Sequence, residues 1–286
     1  MNQELIAKLQ AAQDALEPRF KELRDATSAL KRALKLASAD RPDALPMNQV
    51  LLKLEQATTS VADEALRLAT EGFRQETKQA LDALAFEFAS DLREIFSQGG
   101  VEIGGRPPTL VVKALILRID IAARKAQWFY GKEPLTRKLP LSITTIVKAY
   151  EQQQRLILER NTDPNTFLKE LFETWREELA NRSRKPPSNR LNLVEVYSKM
   201  ILGRQSNRFW NAPSRSTFKD YPRPLFVRDL VLAQAAPYLE VDGKRYHLRL
   251  GVATKSQAES ASRSIWLPNG ALDGEYYADV TFEITP

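Results

Sequence analysis

The chain has 286 residues, 43% of them hydrophobic and 27% charged, with a formal net charge of +6 at neutral pH. That is enough apolar material for one large or two ordinary cores. With no cysteine and a single histidine, His247, the composition excludes disulfides, thiol nucleophiles, iron–sulfur clusters, zinc knuckles, histidine-pair catalysis and multi-histidine metal sites.

No run reaches the roughly 18 uncharged apolar residues of a membrane span, and the start MNQELIAKLQ lacks an apolar signal core. The expected location is cytoplasmic. The positive charge is uneven: residues 1–100 are net acidic, whereas 101–150 and 181–230 carry the basic excess.

Residues 5–37 show a 3-and-4 apolar seam, Leu5, Leu9, Ala12, Leu16, Phe20, Leu23, Thr27, Leu30, Leu34 and Ala37. This spacing predicts an amphipathic helix, kinked or divided at Pro18. After a loop over 38–46, the spacing of Met47, Leu51, Leu54, Thr58, Val61, Ala65 and Leu68 continues as Phe73, Thr77, Ala80, Leu84, Phe88, Leu92 and Ile95. One helix over 47–97 is predicted, its face rotating at Gly72 and its end marked by Gly99-Gly100. The two helices together read as an antiparallel, coiled-coil-like hairpin that projects as a stalk.

After Gly100 the period changes to two. Val101 to Ile103, Leu110 to Val112, Leu115 to Ala122 and Trp128-Phe129-Tyr130 read as short strands of an antiparallel meander. Ser142 opens a helix to about Arg160, and Asp163-Pro164 opens another carrying Phe167, Leu168, Leu171, Phe172, Trp175 and Leu179 on one side. Helices follow at Leu191–Leu202 and 224–236. Tyr238–Val241, Asp242-Gly243 and Lys244–Leu250 give the clearest β-hairpin signal, and 265–267 and 275–284 read as closing strands. The predicted class is therefore α+β, predominantly α: a long N-terminal antiparallel helical hairpin over 1–98, then a basic mixed body with small antiparallel sheets over 99–286, subdivided near 181–190.

Motifs for chemistry are absent: no phosphate-binding GxxxxGK[ST], no GxGxxG and no GxSxG. His247, beside Lys244, Arg245 and Tyr246, reads as a strand residue in preference to a lone base. An acid-x-Lys pair of the kind that serves a metal-dependent nuclease occurs only at Glu76-x-Lys78 and Asp242-x-Lys244, with Asp120 and Glu102 as further acids. No catalytic residue, metal ligand or cofactor is predicted.

The positive signal is cationic and aromatic. Arg182, Arg184, Lys185, Arg190, Arg204, Arg208, Arg215 and Arg223 are interleaved with Tyr197, Phe209, Trp210, Phe218, Tyr221 and Phe226. Guanidinium groups neutralise phosphates and flat rings stack on exposed bases, so Trp210 and Tyr221 join those eight cations as predicted nucleic-acid contacts. The expected role is a non-catalytic accessory subunit of a DNA- or RNA-handling complex. Its residues 1–97 would bind a protein partner or a second copy, with no membrane contact. The alternatives are a protein–protein scaffold whose cations meet an acidic partner, and a metal-dependent nuclease.

Overall fold

A computed structural model describes residues 3–39, 43–184, 186–236 and 238–285. Lys185 of the predicted basic set lies outside the described residues. The fold is α+β and mostly helical, with three tandem helices first and two small open antiparallel sheets after them. Contacts divide the chain into two units, Met1–Ile95 with Arg106–Pro108 and Ile119–Lys125, and the remainder from Phe96 to Pro286.

In the first unit α1 spans Gln3–Ala37, α2 Ala44–Ser60 and α3 Glu64–Gln98. The predicted single helix over 47–97 is thus two helices. Thr58, Thr59 and Ser60 turn their hydroxyls back onto the carbonyls of Leu54, Glu55 and Gln56, a local bond that competes with helix continuation. Asp63 then accepts a hydrogen bond from the Leu66 N–H at 2.8 Å and satisfies one of the free donors at the start of α3. The chain reverses in three residues. α3 returns alongside α2, with Thr58 Oγ1 3.0 Å from Thr70 Oγ1 and Arg74 Nε 3.0 Å from Glu55 Oε1.

The core of this unit joins Ala26, Ala29 and Ala33 of α1 to Met47, Val50, Leu51, Leu54 and Ala57 of α2 and to Leu66 and Phe73 of α3. The predicted α1 seam is not the one that packs on α2. Small alanines face inward, while Leu5, Leu9, Leu16, Phe20, Leu23 and Leu34 are exposed. α1 runs through Pro18 without a break, and α3 runs through Gly72 with one buried row, Leu66, Thr70, Phe73 and Thr77. The expected rotation at Gly72 does not occur. The buried Thr70 and Thr77 hydroxyls donate to Leu66 O and Phe73 O at 2.8 and 2.7 Å, so neither is left without a partner.

The first sheet, most of whose residues belong to the second unit, contains β1 (Ile103–Arg106), β2 (Thr109–Val112), β3 (Leu115–Asp120), β4 (Lys125–Tyr130) and β5 (Glu133–Pro134) in sequence order, with β6 (Leu139–Pro140) on β4. Alternation along β3 is incomplete, since Leu115, Ile116 and Leu117 are all buried before exposed Arg118. α4 (Ile143–Gln153) ends in a π turn over Gln154–Leu158. α5 (Pro164–Ala180) is capped as expected by Asp163, which accepts from Asn165 and Thr166 N–H at 3.2 and 3.1 Å.

The second sheet has the order β10-β11-β9-β8, with β7 on β11. Its strands are β7 (Leu191–Asn192), β8 (Leu239–Val241), β9 (Lys244–Val252), β10 (Ile265–Pro268) and β11 (Gly274–Thr285). The expected tight turn joins β8 to β9, with Asp242 at φ 51 and Gly243 at φ 71. α6 (Leu193–Gly203), α7 (Asn207–Asn211) and α8 (Arg223–Ala233) precede the β8–β9 hairpin, and α9 (Lys255–Ala258) follows it.

Aromatic rings knit this unit together. Phe172 lies 5.7 Å from Trp175, 4.6 Å from Tyr246 and 5.1 Å from Phe282, so α5 is sealed onto β9 and β11. The Gly131 turn after β4 lies against Trp266 of β10: an added Cβ there would stand 2.0 Å from the ring. Fully burying side chains such as Trp128, Phe167 and Phe226 stabilises the fold by about 1.5–3 kcal/mol each.

Candidate nucleic-acid interface

The predicted cations separate into two groups. Arg182, Arg204 and Arg223 are bound into the fold. Arg182 Nη2 lies 2.5 Å from Glu195 Oε2, and the Arg204 fork meets both Glu170 oxygens at 2.6 Å. Arg223 donates to Ala261 O and Ser264 O at 2.6 Å each, with its Nε 2.8 Å from Glu133 Oε1. Guanidiniums held this way already face a carboxylate, Arg204 through two hydrogen bonds and Arg182 through one, so their charge is balanced within the fold.

Tyr221, predicted as a stacking ring, is buried and has no open face. The Arg204 guanidinium covers it at 3.6 Å, and its hydroxyl donates to Asp229 Oδ2 at 2.6 Å. Asp229, 1% exposed and the one acid of α8, also accepts from Arg160 Nε and Nη2 at 2.9 and 3.2 Å. Burial first, and the hydrogen bond to Asp229 second, push the Tyr221 phenol far above its ordinary value. Burial also pushes Tyr197, whose hydroxyl donates to Tyr221 O at 2.7 Å, up to about 12. These residues hold α5, α6 and α8 together. The sequence signal that was missed is the lone Asp229 in the run PLFVRDLVLA.

Arg184, Arg190, Arg208, Arg215 and Trp210 are exposed, and among the described residues no ion pair occupies any of these arginines. Arg208, Trp210 and Arg215 lie in one excursion between α6 and α8. Its neck is closed by Gln205, 8% exposed, whose amide donates to Ile201 O at 2.6 Å and Lys219 O at 2.9 Å and accepts from Lys219 N–H at 2.8 Å. One carboxamide thus pairs with both backbone groups of Lys219, as a neighbouring strand would. The result has the form of an Ω-loop, a compact surface loop of about 6–16 residues whose ends meet.

Inside the loop, Phe209 is a pivot 5.2 Å from Trp210 and 5.6 Å from Phe218, both rings edge-on to it. Thr217 donates to Ala212 O at 2.9 Å and accepts from Ser214 N–H at 3.1 Å, so hydroxyl bonds brace the bend. Trp210 is 56% and Phe218 38% exposed, beside the exposed cations Arg208, Arg215 and Lys219. Rings on a braced loop among unneutralised guanidiniums are suited to stacking on bases and pairing with phosphates. Gln205 carries no sequence signal of this role; it is an isolated amide after Gly203-Arg204.

The residues weighed for hydrolysis have structural partners. Asp120 accepts from Ala123 N–H at 2.9 Å in the β3–β4 turn, and Asp242 is a turn residue 3.9 Å from Arg176. His247 sits within β9, opposite Glu283, with its ring 6.4 Å from Tyr238. Among the described residues no group of three or more histidines, aspartates and glutamates is placed to hold a metal ion, and no helix is long and apolar enough to cross a membrane. Compared with models of protein families, with curated proteins and with solved structures, the chain shows no significant match to any.

Proposed function

We propose that this protein is a non-catalytic accessory subunit of a nucleic-acid-handling complex. Its loop over 206–220 contacts the phosphate backbone and exposed bases, and its N-terminal helices make coiled-coil-like contacts with protein. The observation that carries this reading is the Gln205-clamped loop, which presents Trp210 and Phe218 among Arg208, Arg215 and Lys219. Two exposed rings close together on a basic loop braced by hydrogen bonds favour a partner with both charge and π-faces. Arg184 and Arg190 would add phosphate contacts outside the loop.

The test is fluorescence anisotropy of a labelled single-stranded oligonucleotide over a range of salt. Affinity should fall linearly on a log–log plot, and Arg208→Glu with Arg215→Glu should weaken binding similarly for all sequences and reduce the salt slope. Trp210→Ala should cost about 1–3 kcal/mol of binding. Charge reversal at Arg182 or Arg204 should instead lower the melting temperature, because those groups are paired within the fold. No binding at low salt overturns the reading and leaves the protein–protein scaffold, which the exposed leucines of α1 favour.

A further inference from the structure

α1 carries two apolar faces of opposite character. The alanine face, Ala26, Ala29 and Ala33, is covered by α2. The other is a row of large side chains that no described residue of this unit covers: Leu5 at 54% exposure, Leu9 at 62%, Leu16 at 61%, Phe20 at 67%, Leu23 at 55% and Leu34 at 69%. Their spacings of 4, 7, 4, 3 and 11 keep all six within a strip of about 60° on a helix that advances about 100° per residue. From Leu5 to Leu34 the strip is about 44 Å long at about 1.5 Å per residue. Every described residue of α1 before Ala26 is exposed. A soluble monomer rarely leaves so long a contiguous apolar row in water.

The charge along α1 identifies what fits it. The first half holds Glu4, Asp14 and Glu17 against Lys8, and the second holds Arg19, Lys21, Arg24, Lys31, Arg32 and Lys35 against Glu22 and Asp25. The helix is acidic at one end and basic at the other. Counted by halves, a second α1 running in the opposite direction sets the net acidic half against the net basic half, twice by symmetry, whereas a parallel copy sets the basic half on the basic half. The apolar row reads nearly the same backwards, since Leu5 exchanges with Leu34 and Leu16 with Leu23 about a midpoint at Arg19 and Phe20. A two-fold interface requires this self-complementarity. From that midpoint toward the C-terminal end of α1, Phe20, Leu23, Arg24, Thr27, Ser28 and Lys31 line an open depression between side chains of the helix.

We infer that α1 pairs antiparallel with α1 of a second copy of this chain through the row from Leu5 to Leu34. This goes beyond the nucleic-acid reading and does not depend on it. The test uses the full chain. Light scattering after size exclusion at micromolar concentration should give twice the 32.4 kDa chain mass, and Leu16→Glu with Leu23→Glu should give the single mass at unchanged helical circular dichroism. Because the chain has no cysteine, an introduced one reports orientation alone. Phe20→Cys, at the two-fold midpoint, should form a disulfide-linked dimer under mild oxidation, and Leu9→Cys should form far less. A single-chain mass at every concentration overturns the pairing. Equal crosslinking of Leu9→Cys and Phe20→Cys overturns the antiparallel orientation.

Discussion

Asp229 is the residue on which the second unit's polar core turns. With Arg160 and the Tyr221 hydroxyl both committed to its carboxylate at 2.6–3.2 Å and its side chain fully buried, removing it strands a guanidinium and a phenol. Asp229→Ala should lower unfolding free energy by about 3–5 kcal/mol. Tyr221→Phe removes one donor while Arg160 still pairs the charge, and should cost about 0.5–1.5 kcal/mol. Urea denaturation of both variants checks that order. Surface pairs such as Lys8 with Glu4, both mostly exposed, should contribute under about 1 kcal/mol. Tyr197 supplies a pH signature. Burial pushes its phenol up to about 12 from the ordinary 10.0, so its neutral form is favoured in the fold. The stability it contributes is complete below pH 10 and is lost as pH rises from there through about 12. Tyr197→Phe should flatten that part of the alkaline denaturation curve.

Among the elements, the turn between α2 and α3 and the contact of β10 with the first sheet give the sharpest expectations. Asp63→Ala removes the α3 cap and should cost about 1 kcal/mol in thermal or urea unfolding. Gly131→Ala meets two obstacles, a φ of 58 and the Trp266 ring. It should cost about 2–4 kcal/mol, more than an overpacked core methyl alone. Most elements from Asp163 onward were legible because their boundaries are written in local chemistry, Asp163 before Pro164 and Asp242-Gly243. The α2–α3 break was hidden because Leu54, Thr58, Val61, Ala65 and Leu68 keep a 3-and-4 spacing across it. Leu68 proves exposed while Leu66 is buried. The three hydroxyl residues before Val61 and the acid pair Asp63-Glu64 were the local signals that the long seam obscured. Likewise the α1 seam was correctly seen as one face, but periodicity records which residues share a face and not which neighbour covers it.

At the scale of the molecule, site prediction from charge alone mixed two populations that composition cannot separate. Arg204 and Arg208 are four residues apart, yet one is locked to Glu170 and the other stands in water. The acids that neutralise Arg182, Arg204 and Arg223, namely Glu195, Glu170 and Glu133, lie 13, 34 and 90 residues away in sequence. Tertiary pairing of this kind leaves no local trace. If the α1 pairing and the loop contact both operate, each assembly offers two loops. Leu16→Glu with Leu23→Glu should then leave affinity for a short oligonucleotide unchanged. Affinity for one long enough to engage both loops should drop by at least about tenfold, as titrations with both lengths can measure.

The amide of Gln205 meets both backbone groups of Lys219, so the segment it encloses should behave as a replaceable insert. Grafting a different sequence between those two anchors should change what the surface recognises while the melting temperature stays near that of the parent. Gln205→Ala, which opens the join and leaves Arg208, Trp210 and Arg215 in place, should convert a firm loop into a floppy one, with faster protease cleavage between Ser206 and Phe218 as its first sign.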